Sequence, residues 1–208
     1  MGAPRQRSAW RPATALLLAA ALAGCSALPA PRVENVNVHV LAAEPLPAAT
    51  RPQRDVVVEV ALPRAWPGFD TTRIVYVRQP YELDYFAASR WADTPAKMLG
   101  PLLARALEQT GSFRAVVQPP SAAPADVRVD TELVRLQQDF ATRPSRVEIT
   151  LRVQLTDLHG RRVVAVREFE GAESAPSEDA AGGVAAANAA LQRMLGDVAE
   201  FVVAGTAR

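Results

Sequence analysis

Cysteine is almost absent from this 208-residue sequence and occurs only at position 25. A lone cysteine excludes an internal disulfide and a metal site built from several thiolates. Histidine occurs only twice, at His39 and His159, and two residues so far apart do not indicate a metal site. No phosphate-binding loop and no G-x-S-x-G elbow is present. We therefore expect neither catalysis nor a cofactor, and we expect His159 to be a solvated turn residue.

An excess of charge of either sign is also missing. The chain has 23 basic and 22 acidic residues, a formal net charge of +1. A nucleic-acid-binding protein needs a basic footprint, so this class of partner is excluded. Three arginines precede position 25 without any acidic residue, and the remaining chain is slightly acidic. The longest apolar run, residues 13–23, is too short for a transmembrane helix, which needs roughly 20 residues.

The N-terminal segment has the pattern of a bacterial lipoprotein signal peptide. Residues 1–24 combine the three arginines, the apolar run and the tetrapeptide Leu22-Ala23-Gly24-Cys25. This tetrapeptide resembles a lipobox, in which the cysteine sulfur accepts diacylglycerol and becomes the first mature residue. Ser26 follows, and the resemblance implies sorting to the outer membrane, with the body in the periplasm. The alternative is a soluble secreted protein with an incidental cysteine.

The next segment, residues 25–54, is rich in proline and alanine and is typical of an extended tether. Within it, the alternation Val36, Val38, Val40 allows a short strand. We expect the folded domain to span residues 55–208. The antiparallel strand predicted at 146–157 has the clearest pattern, because five apolar residues alternate with polar ones.

Further strands are predicted at 55–62, 73–79, 113–118, 126–140 and 161–171, and helices at about 94–110 and 179–203. The fourth strand is expected to contain a bulge near Val134. Thr94 is the expected N-cap of the first helix, and Pro101 is expected to kink it or break its first turn. The order β-β-α-β-β-β-β-α predicts an α+β fold with two layers, in which two helices cover one face of a mostly antiparallel sheet.

Aromatic residues are scarce, at 6% of the chain, yet five of them fall within residues 76–91. We expect the segment from Tyr81 to Asp93 to be a loop. The candidates for partner binding in this region are Tyr76, Tyr81, Tyr85, Phe86, Arg90 and Trp91. Tyrosine, tryptophan and arginine dominate binding hot spots. The other interpretation is a core cluster, and both hold if Trp91 is buried while Tyr81 and Tyr85 are exposed.

Residues 62–99, "LPRAWPGFDTTRIVYVRQPYELDYFAASRWADTPAKML", and the helix segment "AANAALQRML" carry a resemblance. Together with the lipobox, they make the chain similar to the ABC-type transport auxiliary lipoproteins. The resemblance implies partnership with MCE-domain and ABC transporter proteins that move lipids between the two membranes. It also implies an accessory component that docks or stabilises the conduit at the outer membrane. The alternative is a periplasmic carrier with an acyl cavity between sheet and helices. Self-association is left open.

Overall fold

The computed structural model describes Gly2, residues 35–47 and residues 51–207. The predicted signal peptide, Cys25 and Ser26 therefore lie outside the described residues, except for Gly2. The segment Val36–Arg208 forms one compact unit. Its start lies well before Asp55, where we predicted the domain to begin. The reason is that residues of the predicted tether pair and pack with the domain: Leu41 is buried, and the Leu46 N–H donates to Gln109 Oε1 at 2.8 Å.

Nine strands and two helices make up the described part of this unit. The strands are β1 Asn37–His39, β2 Arg54–Val60, β3 Arg64–Ala65, β4 Arg73–Val77, β5 Asp84–Trp91, β6 Phe113–Val117, β7 Val127–Asp139, β8 Arg146–Asp157 and β9 Arg162–Ser174. The helices are α1 Pro95–Gln109 and α2 Ala180–Gly205. The α+β class is confirmed, and so is the order of elements from α1 onward.

Strands β7, β8 and β9 form a long antiparallel meander. The β7–β8 ladder runs from Val127 opposite Asp157 to Asp139 opposite Arg146, and β9 pairs along the other edge of β8. The predicted bulge in β7 is present between Leu133 and Arg135. The alternation of β8 is confirmed, because its apolar side chains are buried: Val147, Ile149, Leu151, Val153 and Leu155.

The other edge of β7 is shared by three shorter strands, all parallel to it. From the beginning of β7 to its end these are β2, β3 and β4. Beyond them, β6 pairs in parallel with β2, β5 pairs antiparallel to β4, and β1 pairs in parallel with β5 at the end of the sheet. Strand β7 therefore lies at the centre of a mixed sheet. Most of the antiparallel pairs in that sheet belong to the β7–β8–β9 meander.

Strand β5 occupies the segment that we predicted as a loop. Its pairing with β4 shifts register between Arg73 opposite Arg90 and Val75 opposite Tyr85, which marks a large bulge in β5. The bulge breaks the alternation of buried and exposed residues along β5. The sequence therefore lacks the two-residue repeat of apolar and polar side chains by which a strand is recognised. Five strands therefore precede α1, where we predicted two. The short strand expected among the valines is confirmed as β1.

Both helices cover one face of the sheet and share a single apolar core with it. The Asp179 carboxylate caps α2 by accepting from the Gly182 N–H at 2.8 Å. Thr94 is the N-cap of α1, but its hydroxyl caps no backbone N–H, and the helix continues through Pro101 to Gln109. Pro101 is on the exposed side, where water can satisfy the carbonyl that its missing N–H leaves free. No helix in the described ranges is long and apolar enough to cross a membrane.

Candidate partner-binding surface

The β4–β5 hairpin contains all six aromatic and arginine candidates, but it places them in different environments. Trp91 is only 3% exposed and belongs to the core, where its backbone N–H donates to Thr72 O at 2.7 Å. We therefore remove Trp91 from the set of candidates for surface binding. Its position at the end of β5 turns its ring toward the helices, so its role is to fasten the hairpin to the core.

Tyr76 and Phe86 are half-buried and form a cluster with Phe140, which follows β7. The ring centroids of Tyr76 lie 4.7 Å from Phe86 and 5.7 Å from Phe140. Such tilted and edge-to-face pairs stabilise beyond the area that they bury. Phe140 was missed from the sequence, because nothing in the local pattern connects it with the distant β4. The cluster lies beside the turn end of the hairpin, where Tyr76 is opposite Asp84, and it packs this end against the residue that follows β7.

Tyr81 stands at the tip of the hairpin and is fully exposed. Its backbone lies in the left-handed region, with φ at 67°. This conformation is uncommon for a residue other than glycine, asparagine or aspartate and costs free energy. A large, partly apolar ring is thus held in solvent on a strained backbone. Strain of this kind is concentrated at functional sites.

A groove lies between this tip and the outward side chains of β7. Its volume is about 340 Å³, and it is lined by turn residues 77–83 and by Arg135, Gln137, Asp139 and Ala141. One wall of the groove is therefore the turn that contains Tyr81, and the other wall is strand β7 of the sheet. This arrangement can accept a partner segment without being a closed ligand pocket.

Tyr85 is covered by the guanidinium of Arg73, whose Cζ lies 3.4 Å from the ring centroid. Arg78 lies over Tyr76 at 4.9 Å in the same way. Arg90 is exposed on β5, opposite Arg73. The ion pairs found among the described residues include none of these three arginines. The hairpin is therefore a cationic and aromatic surface.

The outward face of β7 and β8 has a different character. Three of its four arginines are paired with carboxylates on the same face: Arg128 with Asp130 at 2.7 Å, Arg135 with Glu148 at 3.4 Å and Arg146 with Glu148 at 3.7 Å. Neighbouring strands extend this pattern, as in Arg64 on β3 with Glu132 at 3.5 Å. The opposite charges largely cancel, so this face presents a solvated surface with little net attraction for a charged partner.

One predicted turn residue, His159, has a structural contact. Its Nε2 lies 2.8 Å from Asp126 Oδ1, and the other carboxylate oxygen accepts from the Val57 N–H at 2.7 Å. The backbone N–H of Val57, followed by His159, lowers the pKa of Asp126 below its ordinary value. Asp126 therefore joins β2 to the turn between β8 and β9. In the described ranges, no three histidine, aspartate or glutamate side chains gather in a way that could hold a metal ion.

A cavity lies between the sheet and α2, lined among others by Trp91, Leu136, Gln138, Val147 and Gly183. Its cavity volume is about 10 Å³, which is room for about one water molecule. Pockets for small organic ligands measure roughly 300–1,000 Å³. The Gln138 Oε1 atom is buried without a hydrogen-bond partner, while its Nε2 donates to Ser145 Oγ at 2.9 Å. The space is therefore small for an acyl chain.

These features define a class of protein. The domain has an α+β fold, a largely charge-balanced outer face on β7 and β8, and one hairpin that exposes aromatic and cationic side chains.

The family follows from the comparison with known sequences. Residues 39–199 match the model of the ABC-type transport auxiliary lipoprotein component, and the chain belongs to this family. The match begins in β1, which agrees with a domain that starts before Asp55. The members of this family are auxiliary lipoproteins of transport systems, which supports an accessory role for this chain.

Solved structures agree with this assignment. The chain is similar to protein XCC0632 from Xanthomonas campestris, of the DUF330 family, with 26% identity and a TM-score of 0.75. That alignment covers 82% of this chain and 96% of the other. The hypothetical protein CT253 from Chlamydia trachomatis shares the fold, with 12% identity, a TM-score of 0.52 and coverage of 74% and 100%. Among curated proteins, none matches this chain.

Proposed function

We propose that this protein is an outer-membrane lipoprotein that faces the periplasm and serves an ABC- and MCE-type lipid transport system. Cys25 carries the acyl chains, and Ser26 permits delivery to the outer membrane. The folded domain docks or stabilises the conduit that spans the periplasm. Its partners are the MCE-domain and ABC transporter proteins of that system. Family membership and the lipobox pattern support this proposal.

The observation that carries the docking role is the exposed ring of Tyr81 on its left-handed backbone. Folding alone would favour glycine at this position, because glycine adopts positive φ without strain. The adjacent groove offers a rigid wall against which a partner segment can lie. A tyrosine side chain gives a large contact area at low entropic cost, because it has only two rotatable χ angles to fix. Tyr76 and Phe86, packed together beside the turn, support this surface.

Binding is tested by copurification from the native envelope. The tagged wild-type chain, Tyr81→Ala and the control Val163→Ala are compared for recovery of the MCE-domain and ABC transporter proteins. Val163 is an exposed apolar residue on β9, away from the hairpin. We expect Tyr81→Ala to reduce recovery at least several-fold and Val163→Ala to leave it unchanged, with identical circular dichroism spectra. Equal recovery by all three proteins would rule out the hairpin tip as the docking site.

Anchoring is tested independently of docking. Cys25→Ser should accumulate as an unprocessed precursor that incorporates no radiolabelled palmitate. Ser26→Asp should move the protein toward the inner membrane on a density gradient. Normal processing of Cys25→Ser would contradict lipidation, and unchanged fractionation of Ser26→Asp would contradict the sorting signal.

A lipid carrier is the alternative function, and the cavity between sheet and α2 is the place where an acyl chain would bind. Its volume of about 10 Å³, far below that of a pocket for a small organic ligand, favours the docking role over the carrier. Native mass spectrometry of the purified chain separates the two. A copurified phospholipid held noncovalently would favour the carrier, while partner complexes or self-association without lipid would favour docking.

A further inference from the structure

Strand β1 and the two residues that flank it expose three valines at the end of the sheet. Val36, Val38 and Val40 are 44%, 54% and 53% exposed. Val38 lies in β1, and Val36 and Val40 flank it. Among the residues that alternate with these valines, Leu41 is buried and His39, whose neighbour in the sheet is the buried Trp91, is half-buried, while Asn37 is exposed. One side of β1 is therefore anchored to the core, while the other presents aliphatic side chains to solvent.

The register places two arginines beside these valines. Val38 is the partner of Arg90 on β5, and Arg90 is the partner of Arg73 on β4. Directly opposite residues on neighbouring strands point to the same face of a sheet. All three side chains are exposed. An aliphatic strip thus lies next to two positive charges, neither of which belongs to an ion pair among the described residues.

We propose that this surface, formed by Val36, Val38, Val40, Arg73 and Arg90, rests on the anionic phospholipid surface to which the protein is anchored. Aliphatic residues enter the interfacial region of a bilayer, and arginine is attracted to anionic headgroups. The Tyr85 ring under Arg73 suits the interfacial region of the bilayer as well, because tyrosine prefers the boundary between apolar and aqueous phases. The proposal rests on the acylation of Cys25 in the proposed function.

The position of β1 in the chain supports this occupant. Only eleven residues lie between Cys25 and Asn37 along the sequence. Even a fully extended segment of this length spans no more than about 40 Å. Lipidation would therefore keep β1, the first strand of the domain, close to the membrane and raise its effective concentration there. A weak surface contact becomes significant under that condition.

Strand addition by a protein partner suits β1 poorly. The strand has only three residues, and short edge strands are a device that prevents pairing with another chain. The opposite edge, β9, has 13 residues and exposes Val163 and Val166, but it carries charged residues along its length. The valines of β1 have arginines beside them and no acidic partner for those arginines. This charge pattern favours a phospholipid surface.

The experiment places an environment-sensitive maleimide dye on Val38→Cys in the full chain, purified in detergent and reconstituted into vesicles. Position 25 is the only natural cysteine, and acylation consumes its thiol, so the dye reports on the new site alone. Val166→Cys is the matched control, since Val166 is 45% exposed on β9. The vesicles contain either phosphatidylglycerol with phosphatidylethanolamine or phosphatidylcholine alone. Headgroup-labelled lipid serves as the quencher.

We expect a blue shift and strong quenching at position 38 with phosphatidylglycerol, weaker effects with phosphatidylcholine, and neither effect at position 166. Adding Arg90→Gln should lower the equilibrium constant for contact about fivefold, which corresponds to one arginine at an anionic surface. Equal signals at positions 38 and 166 in anchored protein would overturn the proposal. A disulfide-linked dimer of Val38→Cys would assign the surface to a second copy and would also overturn it.

Failure of the anchor is recognised separately. Dye attachment to the wild-type chain would reveal a free thiol at Cys25, and loss of flotation with vesicles would confirm missing lipidation. That result would overturn both the anchor and this proposal. Flotation without a signal at position 38 would overturn only the membrane contact and would leave the lipoprotein assignment intact.

Discussion

The two sides of strand β7 differ in almost every respect. On one side, β8 and β9 are long and antiparallel, with only one register shift in each ladder, and β8 buries five aliphatic side chains under the helices. On the other side, β2, β3 and β4 are short, parallel and interrupted, and β5 is bulged. The regular side stabilises the fold, while the irregular side carries the exposed aromatic and cationic residues that are candidates for binding.

This division has a physical reason. A long regular ladder satisfies its backbone hydrogen bonds and packs one face uniformly, which leaves few side chains free to meet a partner. A bulge or a strained turn interrupts the ladder and directs side chains away from the core. The Arg73–Tyr85 stack and the exposed Tyr81 are both products of such interruptions.

The largest effect is expected where the irregular side meets the core. Trp91→Ala should destabilise the protein by about 3–5 kcal/mol, because the indole is buried against the helices. Urea denaturation followed by circular dichroism measures this change. The exposed neighbour Arg90 provides the control Arg90→Ala, which should cost less than about 1 kcal/mol. A small effect of Trp91→Ala would mean that Trp91 does not stabilise the packing of the hairpin on the core. The β2–β5 side of β7 would then differ from the β8–β9 side in stability as well as in regularity.

A comparable effect is expected at the centre of the regular side. Leu151→Ala should cost about 2–5 kcal/mol, because Leu151 is fully buried and its removal leaves a cavity. Arg152→Ala, on the solvated face of the same strand, should cost well under 1 kcal/mol. Equal small effects in urea denaturation would contradict the assignment of the buried face.

The same contrast decided how much of the structure the sequence could predict. The alternation in β8 and the bulge in β7 were predicted because each strand is long enough for its period to be recognised. Strand β5 was predicted as a loop because its bulge shifts the phase within a few residues. The two-residue strand β3 was also missed, since so short a segment has no periodicity.

The candidate surface was predicted only in composition. The density of aromatic residues predicted that the hairpin would be the candidate region. Trp91 is buried and Tyr81 is exposed, as expected, but Tyr85, which we expected to be exposed, is half-buried under Arg73. The stacking of Arg73 on Tyr85 and the row formed by Val38, Arg90 and Arg73 depend on register between strands distant in sequence. No local pattern contains that information.

A smaller effect is expected where α2 meets the end of β7. A methyl group at Gly183 would come within 2.2 Å of Gln138 Oε1, so Gly183→Ala requires the buried amide to move. We expect a net loss of about 1–2 kcal/mol, since overpacking outweighs the gain in helix propensity. Gly196→Ala is the control in the same helix, because its nearest neighbour, Leu46 Cδ2, is 4.0 Å away. This control should be neutral or stabilising in thermal denaturation, and a stabilising Gly183→Ala would contradict the close approach.

Asp126 tests the link between the two sides as a function of pH. Folding lowers its pKa below 3.8, so its charged form contributes stability above that pH. The contribution is lost as the pH falls through the folded value. Asp126→Asn should therefore lower the melting temperature at pH 6, and the difference from wild type should shrink toward pH 3. A difference that is constant between pH 6 and pH 3 would show that the charge of Asp126 does not matter.

The smallest effect on stability is expected at the tip of the hairpin, where the comparison becomes sharpest. Tyr81 makes no buried contact, so its ring should contribute almost nothing to folding, while its positive φ is unfavourable for any residue with a Cβ atom. Tyr81→Gly should therefore be more stable than Tyr81→Ala by about 0.5–1 kcal/mol, once the greater backbone entropy of unfolded glycine is included. Thermal denaturation of both variants at neutral pH measures the difference. If both variants also lose partner binding equally, the ring serves recognition and the strain is a cost of presenting it. If Tyr81→Gly is the less stable variant, the backbone at the tip relaxes when the ring is removed. The positive φ of Tyr81 would then not support a role of this residue in binding.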